Sequence, residues 1–305
     1  MVNIKEESFF MRKIFKEGFG LPGYFRYLKN KFGDTLSSLP GYNCTSRPNY
    51  NFELHILCCK KDLRILIWSL ASFLHYSELC PRIFVHDDGS VNKSSAVILE
   101  SKFPNLKVIF RSDADKIIYS QPGLSNEFLE HRKKGHKLIL KLADIFLLSS
   151  GEKIMVLDSD ILFFKKPAEI VNFIKGHLPF DSLILPQDGA YDLMVNSSYA
   201  QKYDLEGKRT GFMNSGLIVF NRKALGLGNL LEYFESTYRK PGDYFVEMAG
   251  WGCLIAQTNF RFLPINKYHI KGRPGEDTVM KHFTNPRRHE LYAYGIDMVK
   301  SKIKN

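Results

Sequence analysis

Strand and helix patterns alternate along the first half of the chain, and this alternation constrains the fold more than any other feature. Short apolar runs rich in β-branched and aromatic residues predict strands at 53–59, 82–86, 106–110 and 154–157. Helical patterns lie between them at 62–76, 93–102 and 137–148. Repeated β-α-β units predict an α/β fold with a mostly parallel, Rossmann-like central sheet flanked by helices.

The second half of the chain is less regular. Short apolar segments predict strands at 182–185, 216–220, 262–263 and 279–283, with helices at 223–238 and 246–257. The chain contains neither G-x-G-x-x-G nor G-x-x-x-x-G-K-[ST]. A dinucleotide-binding Rossmann site and a P-loop are therefore not expected.

An Asp-Ser-Asp tripeptide directly follows the predicted strand at 154–157. Asp158 and Asp160, two positions apart at a strand end, can direct their carboxylates at one point. Two half-desolvated anions repel each other unless a cation lies between them. A hard divalent cation with oxygen ligands meets this need and leaves coordination positions for a diphosphate. An Asx turn is the alternative that the tripeptide leaves open.

A second Asp-x-Asp, Asp113-Ala114-Asp115, shows how little this spacing means by itself. Arg111 and Lys116 give it a polar setting, which predicts a helix N-cap or a solvated turn. The Asp158–Asp160 pair differs because apolar runs enclose it on both sides.

Other polar residues follow the same pattern of strand ends. Asp87 and Asp88 follow the second strand, where they would bind the base or ribose of a nucleotide or form a type I turn.

The apolar helix at 137–148 carries one polar stripe, formed by Lys137, Lys141 and Asp144. Such a stripe is typical of the solvated side of a helix.

Four segments, in the same order along the chain, resemble one enzyme family. Residues 156–163 (VLDSDILF) look like the D-x-D signature of GT-A fold nucleotide-diphospho-sugar glycosyltransferases. They are most similar to glycosyltransferase family 8, the glycogenin and galactosyltransferase-like group. Residues 212–220 (FMNSGLIVF) resemble its F-N-S-G segment, 247–254 (EMAGWGCL) its acidic helix, and 281–283 (KHF) its late H-Y/F motif. The resemblance covers residues 53–292.

This resemblance implies a metal-dependent glycosyltransferase that moves a sugar from a nucleotide-sugar, such as a UDP-sugar, to a glycan, lipid-linked or protein acceptor with retention. Asp158, Asp160 and His282 would hold Mn²⁺ or Mg²⁺, with Asp158 also near the ribose. An imidazole ligand favours Mn²⁺. The metal would neutralise charge on the departing nucleoside diphosphate.

The resemblance also implies roles at the sugar. Gln187 or Asp188 would face the reactive carbon, and Glu247 would be catalytic. Asn214 and Ser215 would bond the sugar or acceptor, and Lys137 or Lys141 would reach the donor.

The late motif departs from the family pattern H-x-x-G-x-x-K-P-W. His282 is followed by Thr284-Asn285-Pro286-Arg287-Arg288, without the glycine or the tryptophan. Lys281 and Arg287 are therefore expected to contact phosphate, because lysine and arginine suit phosphate oxygens. Arg288 and the Lys271-Gly272-Arg273 loop are the alternatives.

Positive charge is concentrated at the two ends of the 305-residue chain, whose formal net charge is +11. Residues 1–50 hold eight Lys/Arg and four Asp/Glu, and residues 261–305 hold ten and four. We expect a basic, aromatic N-terminal extension over 1–50, a glycosyltransferase domain over 51–292 and a basic tail over 293–305. The aromatic residues of 9–19 would contact an anionic membrane or pack onto the domain. No nucleic-acid partner is expected, because no reading module is recognised.

Five cysteines show no metal-site spacing, and Cys58-Cys59 lies in an apolar run. Reduced thiols and a cytoplasmic location, peripheral to the inner face of a membrane, are expected. Two other functions stay open. A catalytically inactive GT-A protein could bind a glycan or membrane. A haloacid-dehalogenase-type phosphatase also uses D-x-D after a strand, although no later G-D-x-x-x-D follows here.

Overall fold

Alternating side chains of the central strands divide the protein into two apolar layers. In the strand Lys153–Leu157, Met155 and Leu157 pack into one layer, and Ile154 and Val156 into the other. This follows from the two-residue period of a strand and explains its continuous apolar run. The computed structural model describes residues 4–42 and 51–303.

The strands are β1 (Phe52–Cys58), β2 (Arg82–Asp87), β3 (Leu106–Ile109), β4 (Lys153–Leu157), β5 (Ile161–Phe163), β6 (Ser182–Pro186), β7 (Met213–Asn221), β8 (Phe260–Phe262), β9 (Tyr268–His269) and β10 (Met280–His282). The helices are α1 (Ile4–Lys16), α2 (Gly20–Leu28), α3 (Leu63–Ser77), α4 (Lys93–Lys102), α5 (Arg111–Tyr119), α6 (Asn126–Lys134), α7 (Ile139–Leu148), α8 (Ala168–Ile174), α9 (Ser197–Lys202), α10 (Leu227–Ser236), α11 (Val246–Ile255), α12 (Arg288–Glu290) and α13 (Ile296–Lys300).

Within the described part of the chain, seven strands form the central sheet in the order β3-β2-β1-β4-β7-β6-β8. The first four are parallel, β7 is antiparallel to both β4 and β6, and β8 is parallel to β6. Helices cover both faces of this sheet, with α3 and α4 in one apolar layer and α7, α10 and α11 in the other. The predicted mostly parallel α/β sheet is confirmed.

A small second sheet, β5-β10-β9, lies beside the end of β4. β5 and β10 are antiparallel, with Ile161 opposite His282. The chain passes from the large sheet into the small one through Asp158, Ser159 and Asp160. This tripeptide therefore lies between two sheets, and the predicted position at a strand end is confirmed.

The N-terminal helices pack onto the C-terminal part of the described chain. Phe10, Ile14 and Tyr27 are buried, and the Arg26 guanidinium donates to the Ala293 carbonyl oxygen at 3.0 Å. In α13, Ile296 is buried as well. The predicted packing of N-terminal aromatic residues is seen for Phe10, whereas the boundaries at residues 50 and 292 stay predictions.

Two predictions about polar segments were wrong. Asp113-Ala114-Asp115 lies within α5, where Asp115 pairs with Arg111 and with the buried Arg132, each at 2.7 Å. On α7, the buried Asp144 carboxylate accepts hydrogen bonds from Nε and NH2 of Arg132, at 2.9 and 3.0 Å. Arg132, which is distant in sequence from both acids, thus pairs with Asp115 and Asp144 in place of the expected solvent.

Within the described ranges, no helix combines the length and apolarity needed to cross a bilayer. Cys58, Cys59, Cys80 and Cys253 are free thiols, and Cys44 lies outside the described residues.

Candidate metal and donor site

The backbone fixes the Asp158–Asp160 turn from two sides. The Asp158 N–H donates to the Gly216 carbonyl oxygen of β7 at 2.8 Å. The Phe283 N–H, just after β10, donates to the Asp160 carbonyl oxygen at 2.9 Å. The two bonds hold the turn between β7 and β10, so its side chains meet residues from distant parts of the chain.

Asp158, Asp160 and His282 converge as the sequence predicted. His282 Nε2 lies 3.1 Å from Asp160 Oδ1 and 3.5 Å from Asp158 Oδ2. One ligand atom from each residue lies within 4.8 Å of the other two. Asp160 and His282 are buried and Asp158 is half-buried, which leaves one open side to the cluster.

Asn214 sets the orientation of His282. Its Oδ1 accepts the Gly216 N–H at 2.9 Å and lies 3.1 Å from His282 Nδ1. Because Nδ1 is directed at this oxygen, Nε2 is the ring nitrogen that faces the carboxylates and could coordinate a cation placed between them. Gly216 leaves room for this ring, because a Cβ there would lie 2.4 Å from His282 Cε1.

In Asp158 and in Asp160, one carboxylate oxygen contacts a cationic side chain and the other faces His282. Lys141 Nζ lies 2.7 Å from Asp158 Oδ1, and Arg288 Nε lies 3.0 Å from Asp160 Oδ2. The other two oxygens face His282 Nε2. Two carboxylate oxygens and one imidazole nitrogen fit Mn²⁺ or Mg²⁺.

Arg288, which the sequence offered only as an alternative phosphate contact, lies directly against the cluster. Its NH1 group also lies 2.9 Å from Asp62 Oδ1, so the guanidinium bridges two acids. Burial would raise the pKa of Asp160, but Arg288 and His282 together hold that pKa well below its usual range. The available signal was weak, because Arg287 and Arg288 are adjacent and only the helical turn of α12 decides which faces the site.

Lys141 is buried, with 2% of its surface exposed, between α7, β7 and α11. Besides Asp158, it contacts Glu247 Oε1 and Ser215 Oγ, each at 3.2 Å. Ser215 Oγ donates to Glu247 Oε2 at 3.0 Å. Burial opposes the charge on Lys141, but Asp158 and Glu247 raise its pKa above the usual value. Burial raises the pKa of Glu247 and exceeds the lowering effect of Lys141.

Gln187 and Asp188 diverge after β6. Asn214 Nδ2 donates to Gln187 Oε1 at 3.3 Å, which places Gln187 beside the residue that orients His282. Asp188 is exposed and lies 3.3 Å from Lys271 Nζ. Gln187 thus belongs to the connected site, whereas Asp188 lies in the adjoining loop.

Asp87 and Asp88 mainly shape their own loop. Asp87 Oδ1 accepts the N–H groups of Gly89 and Val91, each at 2.8 Å. Asp88 accepts the Ser90 N–H at 3.0 Å and pairs with Lys137 Nζ at 2.9 Å. The sequence left open nucleotide binding or a turn for Asp87 and Asp88, and these contacts favour the turn. Lys137 is exposed beside this turn.

The structure does not bring Lys281 or Arg287 to the metal cluster. Successive side chains of a strand point to opposite faces, so Lys281 points away from His282. It is buried against Glu290 Oε2 at 2.5 Å and the Tyr294 hydroxyl at 2.9 Å. Arg287 NH1 lies 3.5 Å from Glu290 Oε1. The expected phosphate contacts of both residues are therefore replaced by pairs with Glu290.

No protein-family model and no curated protein sequence matches this chain. Solved structures that it resembles include mouse xyloside xylosyltransferase 1 in the apo form, with a TM-score of 0.46, 13% identity, and coverage of 76% of this chain and 96% of that chain. A second is the galactosyltransferase LgtC in complex with donor and acceptor sugar analogues, with a TM-score of 0.48 and 12% identity. That match covers 82% of this chain and 95% of that chain. A third is core-mannan synthase A from Aspergillus fumigatus in its Mn/GDP form, with a TM-score of 0.45 and 11% identity. That match covers 84% of this chain and 88% of that chain.

Proposed function

We propose that this protein is a metal-dependent GT-A fold glycosyltransferase of the family 8 type. It would transfer a sugar from a nucleotide-sugar, most simply a UDP-sugar, to a glycan, lipid-linked or protein acceptor. The observation that carries the proposal is the convergence of Asp158, Asp160 and His282 at the end of β4, with His282 Nε2 turned toward both carboxylates. The four family-like segments of the sequence support the same function.

At this site Asp158, Asp160 and His282 would hold Mn²⁺, or Mg²⁺ in its place. A bound divalent ion supplies Lewis-acid stabilisation of the charge that develops on a leaving diphosphate. Arg288 is the residue best placed to receive a phosphate, since its guanidinium lies beside Asp160 and is partly exposed. An arginine can bind two phosphate oxygens at once.

The sugar end of the site is formed by Gln187, Asn214, Ser215 and Glu247. We assign Gln187 to the sugar's reactive carbon, because Asn214 holds it beside His282. Lys141 keeps Glu247 and Asp158 in fixed positions. Asp188, Lys137 and Asp88 are assigned to the outer edge of the donor site. Retention of configuration, and a cytoplasmic location inferred from the free thiols, complete the proposal.

The direct test is release or transfer of sugar from a panel of UDP-sugars by the purified protein with Mn²⁺. We expect turnover that excess chelator stops and that Asp160→Ala removes. Asp113→Ala, in the other Asp-x-Asp, is the matched control and should retain full activity. Full activity of Asp160→Ala in the presence of chelator would contradict the proposal.

A further inference from the structure

The outward side of α1 carries two parallel stripes of exposed side chains. Ile4, Met11 and Phe15 form an apolar stripe, with Ile4 80% exposed. Lys5, Arg12 and Lys16 follow them by one position and form a basic stripe beside it; all three are exposed. The shared spacing of seven and four residues keeps each stripe on one side of the helix.

The apolar stripe continues onto α2. Leu21 and Phe25, one helical turn apart, are 60% and 66% exposed. Phe15 of α1 lies against Tyr24 of α2 with ring centroids 6.0 Å apart, which joins the two helices into one surface. We call this surface the N-terminal face. It comprises the exposed apolar residues Ile4, Phe9, Met11, Phe15, Leu21, Phe25 and Phe32 and the exposed basic residues Lys5, Arg12, Lys16, Arg26 and Lys29.

Acidic side chains of this region turn inward. Glu7 accepts the Tyr27 hydroxyl at 2.7 Å and pairs with Lys31 at 2.5 Å. Glu17, directly after α1, pairs with the buried His289 at 2.7 Å. Glu6 lies one turn before the buried Phe10, on the same side of the helix. Among the described residues of α1, the outward side therefore carries positive charge without an acidic residue.

The inner side of both helices is anchored. Phe10, Ile14 and Tyr27 are buried in the core, and Asn30 Nδ2 donates to the Tyr292 carbonyl oxygen at 2.8 Å. The exposed side chains are consequently presented on a fixed support. Packing onto the domain explains why Phe10 is apolar, but it does not explain the exposed Phe9 and Phe15.

We propose that the N-terminal face docks onto an anionic lipid bilayer. Exposed apolar side chains in a contiguous patch mark an interaction surface. Apolar residues that can enter the headgroup region, beside basic residues that meet anionic headgroups, are the combination that holds a helix in a membrane interface. A soluble anion would leave the apolar stripe unused, and an apolar protein partner would leave the basic stripe unpaired.

The N-terminal face adjoins the edge of the proposed metal site. A cleft of about 530 Å³ lies between α1 and the segment that follows His282, lined by Lys5, Glu6, Phe9, Phe10, Lys61, Asn285 and Pro286. Lys61 precedes Asp62, the partner of Arg288. Docking would therefore bring this edge to the bilayer. Docking itself does not depend on the proposed function; only its consequence, a membrane-bound acceptor, rests on it.

Vesicle flotation tests the inference without any donor or metal. We expect the full chain to float with vesicles of 30% phosphatidylglycerol and 70% phosphatidylcholine, but not with pure phosphatidylcholine, and to be released by high salt. Arg12→Glu/Lys16→Glu should weaken binding about tenfold or more. Leu21→Ser/Phe25→Ser should weaken it similarly, because the apolar contacts are lost.

The matched control is Lys133→Glu/Lys223→Glu, which makes the same charge change at exposed positions outside the N-terminal face. It should retain binding, and all variants should keep the far-ultraviolet circular dichroism of the parent. Three results would overturn the inference: no flotation with anionic vesicles, equal loss in the control, or a self-association in sedimentation that Leu21→Ser/Phe25→Ser abolishes while vesicle binding is unchanged. UDP-sugar turnover is measured separately, so failure of docking and failure of the proposed function remain distinguishable.

Discussion

The charges around Asp158 and Asp160 are unbalanced in a way that suits a divalent cation. These two carboxylates, with Glu247 and Asp62, contribute four formal negative charges. Lys141 and Arg288 contribute two positive charges to the same network. One divalent ion would bring the formal sum to zero. Because such interactions amount to several kcal/mol at about 4 Å even at an effective dielectric near 20, loss of one carboxylate should be severe.

Gly216→Ala should weaken metal binding without removing a ligand. The new Cβ would lie 2.4 and 2.5 Å from Cε1 and Nδ1 of His282 and 2.9 Å from Asn214 Oδ1, so the imidazole must move. Disturbing the partner that orients a ligand typically costs 10–100-fold in metal affinity. Titration of Mn²⁺ followed by electron paramagnetic resonance measures this loss.

Gly228→Ala is the control for this substitution. Gly228 lies in α10 and a Cβ there meets nothing within 4 Å, so metal affinity should be unchanged. Equal affinity of Gly216→Ala and the parent would show that His282 does not bind the metal in the proposed orientation.

The metal half of the site could be predicted from sequence better than its surroundings. Apolar runs on both sides of Asp158 and Asp160 revealed a strand end, and the resemblance supplied His282. The sequence could not tell Arg288 from Lys281 as the cation near the cluster. Which of the two lies near the cluster depends on which face of β10 each side chain points to, and on where α12 begins.

At the scale of elements, β1 carries a buried acid that makes stability depend on pH. Glu53 contacts His55 Nε2 at 3.1 Å, Arg82 at 2.7 Å and the Ser150 N–H at 2.9 Å. Burial would raise its pKa, but His55 and the backbone N–H groups of Gly151 and Ser150 lower the pKa of Glu53 to about 2. The carboxylate should therefore stabilise the fold above about pH 4.3, its unfolded pKa. This contribution is lost as the pH falls through about 2.

Glu53→Gln should be less stable than the parent at pH 7 by roughly 3 kcal/mol. This gap in the free energy of unfolding should narrow as the pH falls from 4.5 to 2. Urea unfolding at several pH values measures it, with the exposed Glu152→Gln as control. A gap that stays constant over this range would contradict the low pKa of Glu53.

The ion pairs of α7 give a second prediction at this scale. Lys141→Met leaves Asp158 and the buried Glu247 without their cation and should destabilise the fold by about 3–5 kcal/mol. Lys137→Met, one turn earlier and exposed, should change stability by no more than about 0.5 kcal/mol. Urea unfolding of both variants at pH 7 makes the comparison. Equal effects would mean that Lys141 is solvated, as its polar stripe had suggested.

Elements with an apolar period were predictable, and short amphipathic helices were not. The helix Lys93–Lys102 begins and ends where the sequence placed it, with Asn92 as its N-cap accepting the Ser95 N–H at 2.8 Å. α5 and α6 were missed because most of their side chains are polar. Their stability comes from contacts such as Arg132–Asp144, 12 residues apart, rather than from local periodicity.

At the scale of the whole molecule, two sheets meet where the candidate metal ligands converge. The parallel half of the large sheet follows from the β-α-β pattern, which the sequence reveals clearly. The pairing of the small sheet β5-β10-β9 could not be predicted, although a strand at 279–283 was, because its strands have two or three residues and β5 pairs with β10 more than 100 residues away. His282 reaches Asp160 only through that pairing.

Calorimetric titration of UDP with and without Mn²⁺ tests the central claim most directly. The site predicts that Mn²⁺ tightens UDP binding at least about tenfold, because the ion joins the carboxylates to the diphosphate. Asp160→Asn, which keeps a hydrogen-bond acceptor for Arg288, should lose this gain. UDP binding that is the same with and without Mn²⁺, or no UDP binding at all, would contradict the account and favour an inactive scaffold.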